Sequence, residues 1–314
     1  MSFAFVFAGQ GSQSVGMLAA LAAAEPAVRA TFDEASGVLG YDLWQLVSAG
    51  PEAALNATER TQPAMLAAGV AVWRVWQARG GAFPAVVSGH SLGEFTALVC
   101  AGALDYPAAI ELVRFRGQVM QEAVPAGSGA MAAILGLDDE AVIAVCREAA
   151  EGAVVEAVNF NCPGQVVIAG DAAAALRAID AAKARGARRA VTLPVSVPSH
   201  SSLMRGAGEK LRAKLATLTV RAPTIPYVSA VDARTHQEPA DIVDVLVRQI
   251  SSPVRWTDTL RALIGSGVAQ VIECSPGKVL TALNRRIERR PDLRFLALED
   301  PASIDTALSA TGAA

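Results

Sequence analysis

The stretch Val86-Val87-Ser88-Gly89-His90-Ser91-Leu92-Gly93-Glu94-Phe95 leaves this chain few ways to fold. A short apolar run over 85–88 leads into Gly-x-Ser-x-Gly, and a helical run over 92–101 leads out. Strand, sharp turn and helix in that order make a nucleophile elbow: the serine is pushed out at the end of a sheet, and the flanking glycines remove side chains that would clash there. With the helix beginning at Leu92, its free N–H groups and its dipole favour negative charge beside Ser91. Continuous apolar strands of this kind are usually parallel and covered on both faces, which points to an α/β fold.

Short β-type runs alternate with alanine-rich helical stretches elsewhere. Residues 3–7 read as a strand, 17–39 as a helix broken near Glu25-Pro26, and 62–79 as a helix. From Gly129 the rhythm changes. The run "AMAAILGL" is a strand, 138–150 a helix, and "AVVEAVNF" and "QVVIAG" are strands joined by Asn161-Cys162-Pro163-Gly164; a helix over 171–185 and the strand "RRAVTLPV" follow. The order β-α-β-β-α-β is that of a ferredoxin-like lobe. The expected organisation is therefore a large domain with a parallel sheet over 1–126 and 197–314, and an inserted ferredoxin-like α+β subdomain over 127–196. After the insertion we expect helices over 203–215 and 241–249, a strand over 224–232, a helix from Trp256, the strand "VAQVIEC" and a helix from Lys278.

With 52% apolar and 18% charged residues in 314, a large core is expected and disorder is not. A net charge of −3 supplies no field that would gather nucleic acid, and no basic stripe interleaves with aromatics. Cys100, Cys146, Cys162 and Cys274 show no C-x-x-C spacing and read as free thiols in a reducing compartment. No uninterrupted apolar run approaches the roughly 18 residues of a membrane span. A cytoplasmic protein is expected.

A nucleophilic serine needs a base, and the chain has three histidines. His236 lies in a polar loop. His90 adjoins Ser91, and neighbours on a tight elbow point apart. His200 closes "LPVSVPSH", a loop stiffened by Pro194 and Pro198, and is the expected base. Asp232, Glu273 or a backbone carbonyl could orient it. Arg116 falls on the apolar stripe of its helix, with Leu112, Val113 and Met120. A buried guanidinium needs an anion, either an internal carboxylate such as Glu94 or a carboxylate of the substrate held by two parallel hydrogen bonds. Gly9-Gln10-Gly11 after the first strand imitates a dinucleotide turn, but Ser14 stands where the third glycine belongs and no acidic strand end follows. That turn instead suits a second oxyanion donor, the Gln10 amide, beside the Leu92 amide.

These motifs together resemble one family, the malonyl-coenzyme A:acyl carrier protein transacylases of fatty-acid synthesis. The resemblance runs in order through "GQGSQ" at 9–13, "GHSLGE" at 89–94, Arg116, "NFNCPGQ" at 159–165, "VPSH" at 197–200, "QISSPVRW" at 249–256 and "PGKVL" at 276–280. It implies an α/β-hydrolase-like large domain and roles for single residues. Ser91 would carry the acyl group, and His200 would be its base, oriented by the main-chain carbonyl of Gln249. Gln10 and Leu92 would donate to the oxyanion, Arg116 would hold the malonyl carboxylate, and Gln62 and Asn161 would line the site. It implies malonyl-CoA and phosphopantetheine-bearing acyl carrier protein as substrates, no bound cofactor or metal, no nucleic-acid or membrane partner, and a monomer. The carrier would dock on basic residues, with the segment 183–189 and Arg205 as candidates beside the plainer reading of a solvated helix end. A serine thioesterase or the transacylase subunit of malonate decarboxylase would use the same elbow. Two positions depart from the pattern: Ala8 where the family usually has Pro, which suggests a looser turn, and Ser275 where Gly is common.

Overall fold

The structure, a computed structural model, describes residues 2–195 and 197–312. Its strands are, in chain order, β1 (Phe3–Phe7), β2 (Val86–Gly89), β3 (Gly129–Leu135), β4 (Val155–Cys162), β5 (Gln165–Asp171), β6 (Arg189–Thr192), β7 (Tyr227–Val228), β8 (Thr235–His236), β9 (Gln270–Glu273) and β10 (Arg294–Ala297). They form two sheets, one ordered β10-β9-β1-β2-β7-β8 and one ordered β4-β5-β3-β6.

The larger sheet is parallel from β10 to β7, and only the β7–β8 hairpin at its edge is antiparallel. Because β1 is apolar at every position and buried along its length, it takes the centre, with Phe5 beside Val87 on β2 and Ile272 on β9. The helix Thr58–Ala78 covers one face. Its Trp73 and Trp76 pack edge-on against Phe5 at 5.7 and 5.2 Å between ring centres, a favoured aromatic arrangement. The second sheet is antiparallel throughout, and the helices Asp139–Ala150 and Ala172–Ala184 supply its separate apolar core. Among the described residues, no helix is long and apolar enough to cross a membrane.

The strand expected over 224–232 shrinks to Tyr227–Val228. The backbone turns immediately after it: the Ala233 N–H donates to the Ser229 carbonyl, and Ala233 takes a left-handed φ of 57°. The reversal sends the chain back as β8. Elements beyond the sequence reading include the helices Leu43–Ala49, Glu52–Leu55 and Pro301–Thr311, the edge strand Arg294–Ala297, and β8, which places His236 on a strand where a polar loop was expected.

Candidate active site

Ser91 sits between β2 and the helix Gly93–Cys100 with φ 53°, a strained value for a residue with a Cβ and the usual signature of an elbow. Glycines make the turn possible. A Cβ on Gly93 would lie 2.0 Å from the Phe7 carbonyl oxygen, one on Gly89 2.0 Å from the Gly93 carbonyl carbon, and one on Gly9 2.4 Å from the His90 carbonyl oxygen. The turn after β1 therefore lies directly against the elbow, tied by the His90 N–H to the Phe7 carbonyl at 2.9 Å. Among the described residues, neither the Gln10 nor the Leu92 amide is used in a backbone hydrogen bond.

His200 arrives from across the sheet, also left-handed at φ 68°, with its own N–H on the Ile250 carbonyl. Its Nδ1 lies 2.8 Å from the Gln249 carbonyl oxygen and its Nε2 2.8 Å from Ser91 Oγ. A carbonyl oxygen can only accept, so Nδ1 holds the proton and the bare Nε2 faces the serine hydroxyl. Burial, the Arg116 charge and His90 push His200 down to about 3, against the hydrogen bond that it donates to the Gln249 carbonyl. The ring is thus neutral and ready to take a proton. Asp232 and Glu273, the carboxylates open as orienters, are occupied elsewhere: Asp232 pairs with His236 and Arg248, while Glu273 accepts the Leu280 and Thr281 amides.

Arg116 is 2% exposed, yet among the described residues all of its hydrogen-bond partners are neutral. Nη1 donates to Gln62 Oε1 at 2.9 Å, and Nη2 donates to Gln249 Oε1 at 2.9 Å and to Ser91 Oγ at 3.2 Å. Burial lowers it to about 10, with the charge of Glu94 working the other way, so it stays a cation at neutral pH. Glu94 does not pair with it directly; the Gln249 side chain stands between them. That side chain is a part of the site the sequence did not announce, because only its main-chain carbonyl was expected to act.

A cavity of about 410 Å³ opens over these groups. Gln10, Ser91, Leu92, Arg116 and His200 line it on the side of the parallel sheet, and Met131, Asn159, Leu193 and Val195 line it on the side of the antiparallel one. Gln62 and Asn161, expected to line the site, each stand behind it. Gln62 buttresses Arg116, and Asn161 Oδ1 lies 2.8 Å from His90 Nε2, which holds that ring away from Ser91. The lining residue is Asn159, two positions earlier on β4. The basic segment ends the helix Ala172–Ala184 and enters β6; Lys183 and Arg185 pair with Asp180 and Glu148, and Arg205 is exposed at the head of its helix.

The departures at Ala8 and Ser275 turn out to be one feature. Both residues are buried, and the Ala8 N–H donates to Ser275 Oγ at 3.1 Å. A proline at 8 would have no N–H to satisfy, and a glycine at 275 would offer no acceptor. The turn expected to be looser is tethered.

Comparison with known proteins agrees with this geometry. The family model described as "Acyl transferase domain" matches residues 4–293. The malonyl CoA-acyl carrier protein transacylase of Salmonella typhimurium strain LT2 is 55% identical over 98% of this chain and 99% of its own length. The crystal structure of an acyl carrier protein S-malonyltransferase from Vibrio cholerae superposes with a TM-score of 0.94 at 55% identity, covering 98% of this chain and all of that one. A malonyl-transacylase solved in complex with a holo type II PKS acyl-carrier protein superposes with a TM-score of 0.97 at 54% identity, over 99% of this chain and all of that one.

Proposed function

The chain belongs to the acyl transferase domain family, among the malonyl CoA-acyl carrier protein transacylases, and we propose that it moves malonyl from malonyl-CoA to the phosphopantetheine thiol of acyl carrier protein through an ester on Ser91. In the first half-reaction Ser91 Oγ attacks the thioester carbon while His200 Nε2 takes the hydroxyl proton. The oxyanion forms against the Gln10 and Leu92 amides, and loss of one such donor typically costs about 10²–10³ in rate. The tetrahedral intermediate then collapses; the C–S bond breaks, and the coenzyme thiol leaves with the proton held by His200. In the second half-reaction the carrier's thiol gives its proton to His200, attacks the malonyl ester, and Ser91 Oγ recovers that proton. One thioester replaces another, so the transfer is close to thermoneutral.

The observation that supports this reading best is Arg116: a buried guanidinium with neutral partners, 3.2 Å from the nucleophile. A pocket for neutral acyl groups gains nothing from such a charge, which disfavours a serine thioesterase. A free malonyl carboxylate supplies the missing anion. We also read residues 127–196 as a ferredoxin-like insertion into an α/β-hydrolase-like domain, supported by the strand order of the second sheet. The same reading has the enzyme act as a cytoplasmic monomer without a resident cofactor, with the segment 183–189 and Arg205 receiving the acidic carrier.

Incubation with equimolar malonyl- and acetyl-CoA, read by intact mass, tests the proposal. The malonyl adduct is expected to dominate, Ser91→Ala to abolish both adducts, and Arg116→Ala to erase the preference. A preference that survives Arg116→Ala would overturn the assignment of Arg116.

A further inference from the structure

Behind Arg116 lies a charge that the reaction above leaves unused. Glu94 is 0% exposed. Its Oε1 accepts from Gln249 Nε2 at 2.7 Å, and its Oε2 accepts from the Ala230 amide at 3.2 Å and from the Tyr227 hydroxyl. The orientation of the Gln249 amide follows from its neighbours. The atom beside Glu94 also lies 2.9 Å from the Ser91 carbonyl oxygen, which can only accept, so that atom is the amide nitrogen. The amide oxygen therefore faces Arg116 Nη2.

The arrangement is an ion pair with one amide inserted. Direct pairing between Glu94 and Arg116 would cover the guanidinium edge that a substrate carboxylate needs. An arginine with no acid nearby would be a buried charge without compensation. With Gln249 between them, the carboxylate anchors the amide nitrogen, the amide oxygen fixes Nη2, and Gln62 fixes Nη1. Burial lifts the Glu94 carboxyl above the ordinary range, while four hydrogen-bonded groups, from Tyr227, Gln249, Ser229 and Ala230, pull it back. Gln249 Nε2 and the Ala230 amide can only donate, and both are placed to meet a carboxylate.

We propose that Glu94 is a positioning residue for acyl-group selection: through the Gln249 side-chain amide it aims the Arg116 guanidinium at the acyl group on Ser91, and so sets the preference for acyl groups ending in a carboxylate. The inference rests on Arg116 being the partner of that carboxylate. An acetyl group makes no demand on Arg116, so acetyl loading serves as an internal measure of the Ser91–His200 pair.

The test measures initial rates of Ser91 acylation on the full chain by intact mass, with malonyl-CoA and acetyl-CoA separately. The proteins are wild type, Glu94→Gln, Gln249→Leu, the double variant and Arg116→Ala. A glutamine at 94 cannot accept at both positions, so one N–H must face Gln249 or Ala230. Both single variants are expected to lower the malonyl-to-acetyl rate ratio by about tenfold or more, the scale of a charge-assisted hydrogen bond. The double variant should fall no further than Gln249→Leu alone, since both cut one relay; a general loosening of the fold would instead add. A folded Glu94→Gln enzyme whose ratio stays within about twofold of wild type, or losses that add in the double variant, overturns the proposal. Should Glu94→Gln fail to fold, Gln249→Leu decides: a retained ratio overturns the relay, and a lost ratio at an unchanged melting midpoint supports it. Wild type without malonyl preference, or Arg116→Ala that keeps it, would remove the role of Arg116 itself and this inference with it.

Discussion

The two walls of the cavity are built on different principles. On the Ser91 side backbone touches backbone, and Gly9, Gly89 and Gly93 stand where any Cβ would meet a neighbouring main-chain atom at 2.0–2.4 Å. On the facing side Met131, Leu193 and Val195 present side chains from a small apolar cluster on the antiparallel sheet. Backbone contacts fix positions and tolerate no change of size. Side-chain contacts set a volume and tolerate exchange. The chemistry is thus locked on one wall, and the fit to the substrate's arm is adjustable on the other.

The contrast fails if the first wall is tolerant. Gly93→Ala would put a Cβ against the Phe7 carbonyl, and we expect it to cost about 3 kcal/mol, at the upper end of overpacking, and to remove detectable acylation. Urea unfolding and intact mass would read both. Ser275→Gly is expected to cost about 1–3 kcal/mol, because the buried Ala8 N–H loses its acceptor. Adding Ala8→Pro removes the orphaned donor, so the double variant should recover most of the melting midpoint.

The pH dependence sharpens the same comparison. Acylation requires neutral His200, and its lowered pKa keeps it neutral well below its ordinary value of 6.5. Acetyl loading should therefore stay flat as pH falls from 8 through 6. In Arg116→Ala one cause of the depression is gone, so the acid limb should move up in pH. Stability runs the other way: between about pH 6.5 and 3 the unfolded chain binds a proton that native His200 refuses, so acid destabilises the fold through this group. The smallest effect belongs to the second wall. Leu193→Ala, at a half-buried position, is expected to cost about 1 kcal/mol in stability and to raise KM a few-fold with little change in kcat.

What the sequence made legible follows the same division. The elbow, the base and the stripe carrying Arg116 rest on local signals, namely glycine spacing, a proline-stiffened loop and helical periodicity, and the geometry brings all three together. What stayed hidden depends on contacts between distant segments. The insertion of Gln249 between Glu94 and Arg116 joins residues 155 and 133 positions apart. Asn159 and Asn161 lie two residues apart on β4, where regular alternation would put both on one face; the register shifts along that strand, which the sequence does not announce, leave only Asn159 lining the cavity. The short β7 was misjudged because the turn after Val228 is made by backbone hydrogen bonds that composition does not report.

The position of the first strand governs when the protein can become active during synthesis. Phe3–Phe7 is synthesised well before β9 but lies between β2 and β9, and Ala8 in the turn that follows it is tethered to Ser275, 267 residues later. Until β9 and Ser275 have emerged, β1 keeps an unpaired edge and the anchor of the oxyanion turn is missing. Nascent chains that stop short of Ser275 are therefore expected to be both inactive and exposed to wrong pairing along that edge.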